Sequence, residues 1–124
     1  MRYLVGTDNN TWRLPDAVNA AAEGDTIEFQ AGYSPVVDCI VISKDLHFEG
    51  KVTLAEGGNQ NFTNVITGKF NINQQAKVTF ENIWICYGVE RTNIINCKEQ
   101  AEVSLINCVL ENSPVSYTHL TLPT

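Results

Sequence analysis

The side chains that could do chemistry in this chain are few. Carboxylate clusters with an aligned basic residue can do acid–base work, and the acidic candidates are Asp38, Asp45, Glu49 and Glu81. Glu49 and Glu81 fall in one outward column of the repeat described below, where paired carboxylates can hold a cation or share a proton. The next copy puts Ile106 in that column, and no lysine or arginine aligns as a base. Solvated charge on an outer face is therefore the expected role. His47 shares a column with Thr79 and Ser104, but two strand spacings, roughly 9 to 10 Å, would separate His47 from Ser104, too far for a nucleophile and its base. No catalytic constellation is expected, and catalytic, cofactor-binding and metal-ligating residues are assigned to none of these positions.

Cys39, Cys86, Cys97 and Cys108 contain no C-x-x-C pair, so neither a zinc site nor a redox dithiol is expected of them. The repeat places Cys97 and Cys108 inward as small buried hydrophobes and Cys39 outward, all as free thiols. Asn9 and Asn61 each begin an Asn-x-Thr tripeptide and read as turn residues. Gly57 and Gly58 mark a loop with no phosphate-binding lysine after them.

The elements that must carry these residues are strands. Residues 70–85 (FNINQQAKVTFENIWI) shift by 25 positions onto residues 95–110 (INCKEQAEVSLINCVL) without a gap, matching Asn71, Gln75, Ala76, Val78 and Asn82 to Asn96, Gln100, Ala101, Val103 and Asn107. An earlier copy, residues 40–54, aligns at an offset of 32 up to Gly50, with Lys51 as an extra residue. Within a copy the period is two: Val78 and Phe80 point one way and Thr79 and Glu81 the other, until Asn82 turns the chain before Ile83 and Ile85. Three short strands per copy are expected. Ahead of the copies, Leu14, Ala17, Val18 and Ala21 mark one helical face, with Thr11 as N-cap, Pro15 in the first turn and Gly24 as the terminating glycine.

The run LPDAVNAAAEGDTI from Leu14 to Ile27, then Gly32-Tyr33, then strand-corner units, resembles the N-terminal region of right-handed parallel β-helix proteins of the pectate lyase-like superfamily. The resemblance implies an all-β solenoid of about 25-residue coils under a short capping helix. The expected organisation is residues 1–10 as a lead-in strand, 11–24 as the helix, 25–113 as coils incomplete at their C-terminal end, and 114–124 as a tail. Asn82 and Asn107 resemble the asparagine ladder of such folds, with Gly50 in that place in the first copy. The tail VSYTHLTLPT resembles the in-frame translation of a transposase mosaic end and sequencing adapter, and His119 lies inside it. The chain is accordingly expected to be the N-terminal piece of a longer protein.

A net charge of −6 leaves no basic stripe for phosphates, so nucleic acid and anionic membrane surfaces are not expected partners. The N-terminus has no apolar run of secretory type, and no stretch is long enough to span a bilayer, which points to the cytoplasm. Trp84, Ile106 and Val109 are apolar residues in outward positions, and such residues form interfaces. The expected function is a protein-interaction or scaffold module of a larger bacterial-type intracellular protein, with a protein partner or a downstream domain of the same chain. The resemblance adds that such regions can precede ATPase modules. The alternative is a fragment of a carbohydrate-active enzyme acting on polysaccharide, a lyase, esterase or hydrolase with its catalytic residues downstream. No cofactor is expected in either case.

Overall fold

A computed structural model describes residues 1–54, 60–86, 95–98, 100–111 and 120–121. The chain begins with β1 (Arg2–Val5), the helix α1 (Leu14–Ala20) and β2 (Asp25–Phe29). Next come β3 (Val36–Ile42), β4 (Leu46–Glu49), β5 (Val52–Leu54) and β6 (Gln60–Phe62). The repeats supply β7 (Val65–Ile72), β8 (Lys77–Glu81), β9 (Trp84–Cys86), β10 (Ile95–Cys97), β11 (Glu102–Ile106) and β12 (Val109–Glu111), and β13 (Leu120–Thr121) follows.

Alternation drives the strands. In β2, β4, β7, β8 and β11 every second side chain is buried, so each strand gives one face to a common core. One parallel sheet has the order β1-β2-β4-β8-β11-β13. A second has the order β10-β7-β9-β12 with β3 also on β7. Phe48 and Phe80 of the first sheet stack at 5.0 Å, and Phe70 of the second meets both edge-on, at 6.1 and 5.0 Å. All three rings are fully buried, worth about 1.5–3 kcal/mol each in area removed from water.

The expected all-β, right-handed parallel β-helix is corrected by this architecture. The strands sort into three separate sheets, one of them the antiparallel pair β5–β6, rather than into successive turns of one solenoid. Nor is there a constant 25-residue step. The first sheet pairs Thr26 with His47, His47 with Thr79, Thr79 with Ser104 and Val103 with Leu120, advances of 21, 32, 25 and 17 residues. The 25-residue offset holds where the copies are gapless, pairing β8 with β11, β7 with β10 and β9 with β12. In the first copy Ile40 pairs with Phe70 and Ile42 with Ile72, because the link from Ile42 to Leu46 is two residues shorter than that from Ile72 to Val78. Cys97 therefore shares its column with Ile42 and Ile72, not with Ile40.

The helix is shorter than expected and is capped by tertiary contacts. Its N-cap residue is Arg13, without a side-chain cap; Leu14 N–H instead donates to the Tyr33 hydroxyl at 3.0 Å. Thr11 gives its hydroxyl to Asp8 O at 2.7 Å. Gly24, with φ +86°, serves the turn into β2, where the Asp25 carboxylate accepts Ala22 N–H at 2.8 Å and pairs with the N-terminal ammonium at 3.1 Å. Leu14, Ala17 and Val18 bury the helix face as the periodicity requires.

The strand corners adopt left-handed backbone at Gln75, Asn82, Gln100 and Asn107. Asn107 Nδ2 donates to Asn82 Oδ1 at 2.8 Å, and Gln75 Nε2 to Gln100 Oε1 at 3.2 Å. At the first corner Gly50 is required by crowding, since a Cβ there would lie 2.4 Å from Asn82 O. Among the described residues no helix is long and apolar enough to cross a membrane.

Candidate functional site: a charged cluster on the outer face of the first sheet

Parallel register aligns like positions of neighbouring strands, so the outer face of the first sheet carries rows of polar side chains. One row runs Thr26, His47, Thr79, Ser104, and the next Glu28, Glu49, Glu81, Ile106. Arg2 enters from β1 and Lys51 from the residue before β5. Arg2 Nη2 lies 3.3 Å from Glu28 Oε1 and 3.0 Å from Glu49 Oε2, and Lys51 Nζ lies 2.7 Å from Glu28 and 3.7 Å from Glu49. His47 Nε2 sits 3.1 Å from Glu81 Oε1. The Lys51 ammonium, with Arg2 behind it, holds the Glu28 carboxyl below its ordinary range against the opposing effect of burial.

The structure therefore unites Glu49, Glu81 and His47, and adds two cations that the sequence reading did not align with them. Arg2 escaped because a four-residue N-terminal strand carries no repeat signal; Lys51 appeared only as an extra residue in the first copy. Asp45 stands apart, its Oδ1 accepting Lys77 N–H at 2.8 Å as a turn device. The side chain of Asp38 lies outside the described ones, as do Gly57, Gly58 and the segment 87–93. Ser104 is two strands from His47 in the register, with Thr79 between them.

On the second sheet the outward row is Val65, Trp84, Val109, all half-buried, with the Phe62 ring edge-on to Trp84 at 5.9 Å. Ile106 is half-buried on the first sheet beside Glu81. The four cysteines are free thiols, Cys39 exposed and the others half-buried. Burial pushes the Cys97 thiol up to about 11 and also raises that of Cys108, whose sulfur donates to Phe80 O at 3.2 Å.

One buried polar residue gave no sequence signal. Asn64 is fully buried, and its amide joins three segments: Nδ2 donates to Gln30 O and Tyr33 O, both at 2.9 Å, while Oδ1 accepts Lys51 N–H at 2.7 Å. That bond anchors the backbone from which Lys51 reaches the charged cluster.

No family model matches the chain, and neither a curated protein nor a solved structure matches it.

Proposed function

We propose that the chain is a protein-interaction or scaffold module. The observation that carries this reading is the in-register outward row of Val65, Trp84 and Val109 with Phe62 against it, an apolar strip on a sheet face. Aromatic side chains in such settings supply most of the affinity of an interface. Among the described strands the strip ends on β12, the last in the order of its sheet, so a partner strand could extend the sheet while its side chains meet Val109 and Trp84. A protein partner, or a further segment of the same polypeptide, suits such a surface. The carboxylates that would serve a hydrolytic reaction are engaged by Arg2, Lys51 and His47, which supports binding over catalysis.

The test is affinity capture with the wild-type chain, Trp84→Ser and Val109→Asp in parallel, with release of reducing ends from polysaccharides assayed on the same preparations. The expected result is a partner recovered by the wild type and lost by at least about tenfold in both variants, as for a hot-spot residue. Identical recovery by all three, or saccharide cleavage by the chain itself, would overturn the reading.

A second reading rests on an open groove of about 870 Å³ lined by the 8–11 loop, Trp12, Arg13, Asp16 and Asn19. Trp12 is 43% exposed and its ring is braced edge-on by Tyr3 at 5.3 Å, leaving an aromatic surface among amides and carboxylates that suits a saccharide. Soluble oligosaccharides that change the fluorescence of the wild type but not of Trp12→Ala would favour it.

A further inference from the structure

The charged cluster brings an imidazole and two carboxylates to one point. His47 and Glu49 are two apart on β4 and share its outer face, and Glu81 lies on β8 directly opposite Glu49. One ligand atom from each falls within 4.8 Å of the others, and all three side chains are half-buried. We propose that His47, Glu49 and Glu81 form a binding site for a divalent transition-metal ion of the zinc class.

Ligand spacing supports the assignment. Two ligands about 2.0–2.2 Å from a tetrahedral ion lie roughly 3.4 Å apart. His47 Nε2 and Glu81 Oε1, at 3.1 Å, are already near that spacing. The widest separation in the set, at most 4.8 Å, has to close by about 1.4 Å, a swing that rotation of a glutamate side chain provides. The donor set selects the ion. Calcium and magnesium take all-oxygen shells, whereas one imidazole with two carboxylates suits zinc and its first-row neighbours. With three protein ligands, a fourth position remains for water.

Charge permits it. Glu28 and Glu49 face two permanent cations, Arg2 and Lys51, and Glu81 faces His47, so the three carboxylates outnumber the permanent cations by one. Arg2 and Lys51 each contact Glu28 as well as Glu49. Glu49 can therefore turn to a metal ion while both cations keep the Glu28 carboxylate, and a divalent ion takes the cluster from one net negative charge to one net positive charge.

The experiment uses the full chain, stripped with chelator and titrated calorimetrically with Zn²⁺, then with Co²⁺ as a spectroscopic probe. The expected result is a saturable one-to-one isotherm that disappears in His47→Ala. In the near-isosteric Glu81→Gln, affinity should fall by at least the roughly tenfold typical of groups that only support a ligand. His119→Ala, which removes the other histidine, should bind as the wild type does. Circular dichroism verifies folding, and Glu81→Gln decides the matter if His47→Ala unfolds. Absence of saturable binding by the wild type, binding that survives both cluster variants, or a thiolate-to-cobalt charge-transfer band placing the ion on cysteine would overturn the proposal.

Discussion

Replacing Asn64 by aspartate keeps the side-chain shape and changes one amide nitrogen to oxygen, so its effect isolates hydrogen bonding from packing. In the folded chain Asn64 Nδ2 donates to two carbonyls, Gln30 O and Tyr33 O, in a fully buried position. In Asn64→Asp an ionised carboxylate would keep the bond from Lys51 N–H but would face both carbonyls without a proton. Tyr33 O, left short in the interior, costs about 1–3 kcal/mol, and Gln30 O, which keeps Tyr33 N–H at 3.0 Å, adds less, before any penalty for burying charge. Against a usual domain stability of about 5–15 kcal/mol that is a severe loss. Burial and the facing carbonyls both favour the neutral acid, so the folded-state pKa of the introduced group is raised above its unfolded value near 3.9. The charge penalty is therefore fully present above the folded pKa, shrinks as pH falls through it, and vanishes below the unfolded value. Urea unfolding of both proteins at about pH 7 and pH 4 measures this, with midpoints compared at equal m-value. The expected gap is large at pH 7 and smaller at pH 4. Equal midpoints at pH 7, or a gap that ignores pH, would refute the assignment of Asn64 as a donor to both carbonyls.

Three further outcomes follow from the same structure. Because burial raises the Cys97 thiol to about 11, alkylation of the native chain at about pH 8 should label exposed Cys39 first, and peptide mapping that finds Cys97 labelled equally fast would contradict its placement. Gly50→Ala puts a Cβ 2.4 Å from Asn82 O and 2.8 Å from Ile83 Cγ1, so a thermal melt should show a loss of about 1–3 kcal/mol. The Asp25 carboxyl is held low by the Ala22 N–H and then by the N-terminal ammonium, so its contribution is present above the unfolded pKa and lost as pH falls through the folded one. Melting temperatures of wild type and Asp25→Asn should accordingly converge on acidification, and a constant difference would argue against that bond.

How far the sequence could be read depended on how local the signal was. The rows Thr79–Ser104 and Glu49–Glu81 were legible because alternation fixes which side chains face out and gapless copies fix which ones align. The slip of Ile40 onto Phe70 was hidden, since a two-residue difference in a link leaves the alternation intact. The division into separate sheets was hidden as well: the β5–β6 pair is made by antiparallel hydrogen bonds between Val52–Leu54 and Gln60–Phe62, which no repeat foreshadows. The helix face was visible in Leu14, Ala17 and Val18, but its true cap is the hydroxyl of Tyr33, a contact made only after folding. The cluster was half visible for the same reason. His47, Glu49 and Glu81 sit within the repeat, while Arg2 arrives by the pairing of β1 with β2 and Lys51 by its bond to Asn64.

The amide pairs at the corners also bear on how such a chain can change length over generations. Gln75 bonds to Gln100 and Asn82 to Asn107, so the seven-residue advance from 75 to 82 is matched by an equal advance from 100 to 107. An inserted residue in one span would pull its corner away from the partner amide unless the other span gained one too. Paired spans must therefore be inherited as a unit, duplicated or lost together. Elsewhere in the same sheet the advances of 21 and 32 residues are not held to that spacing.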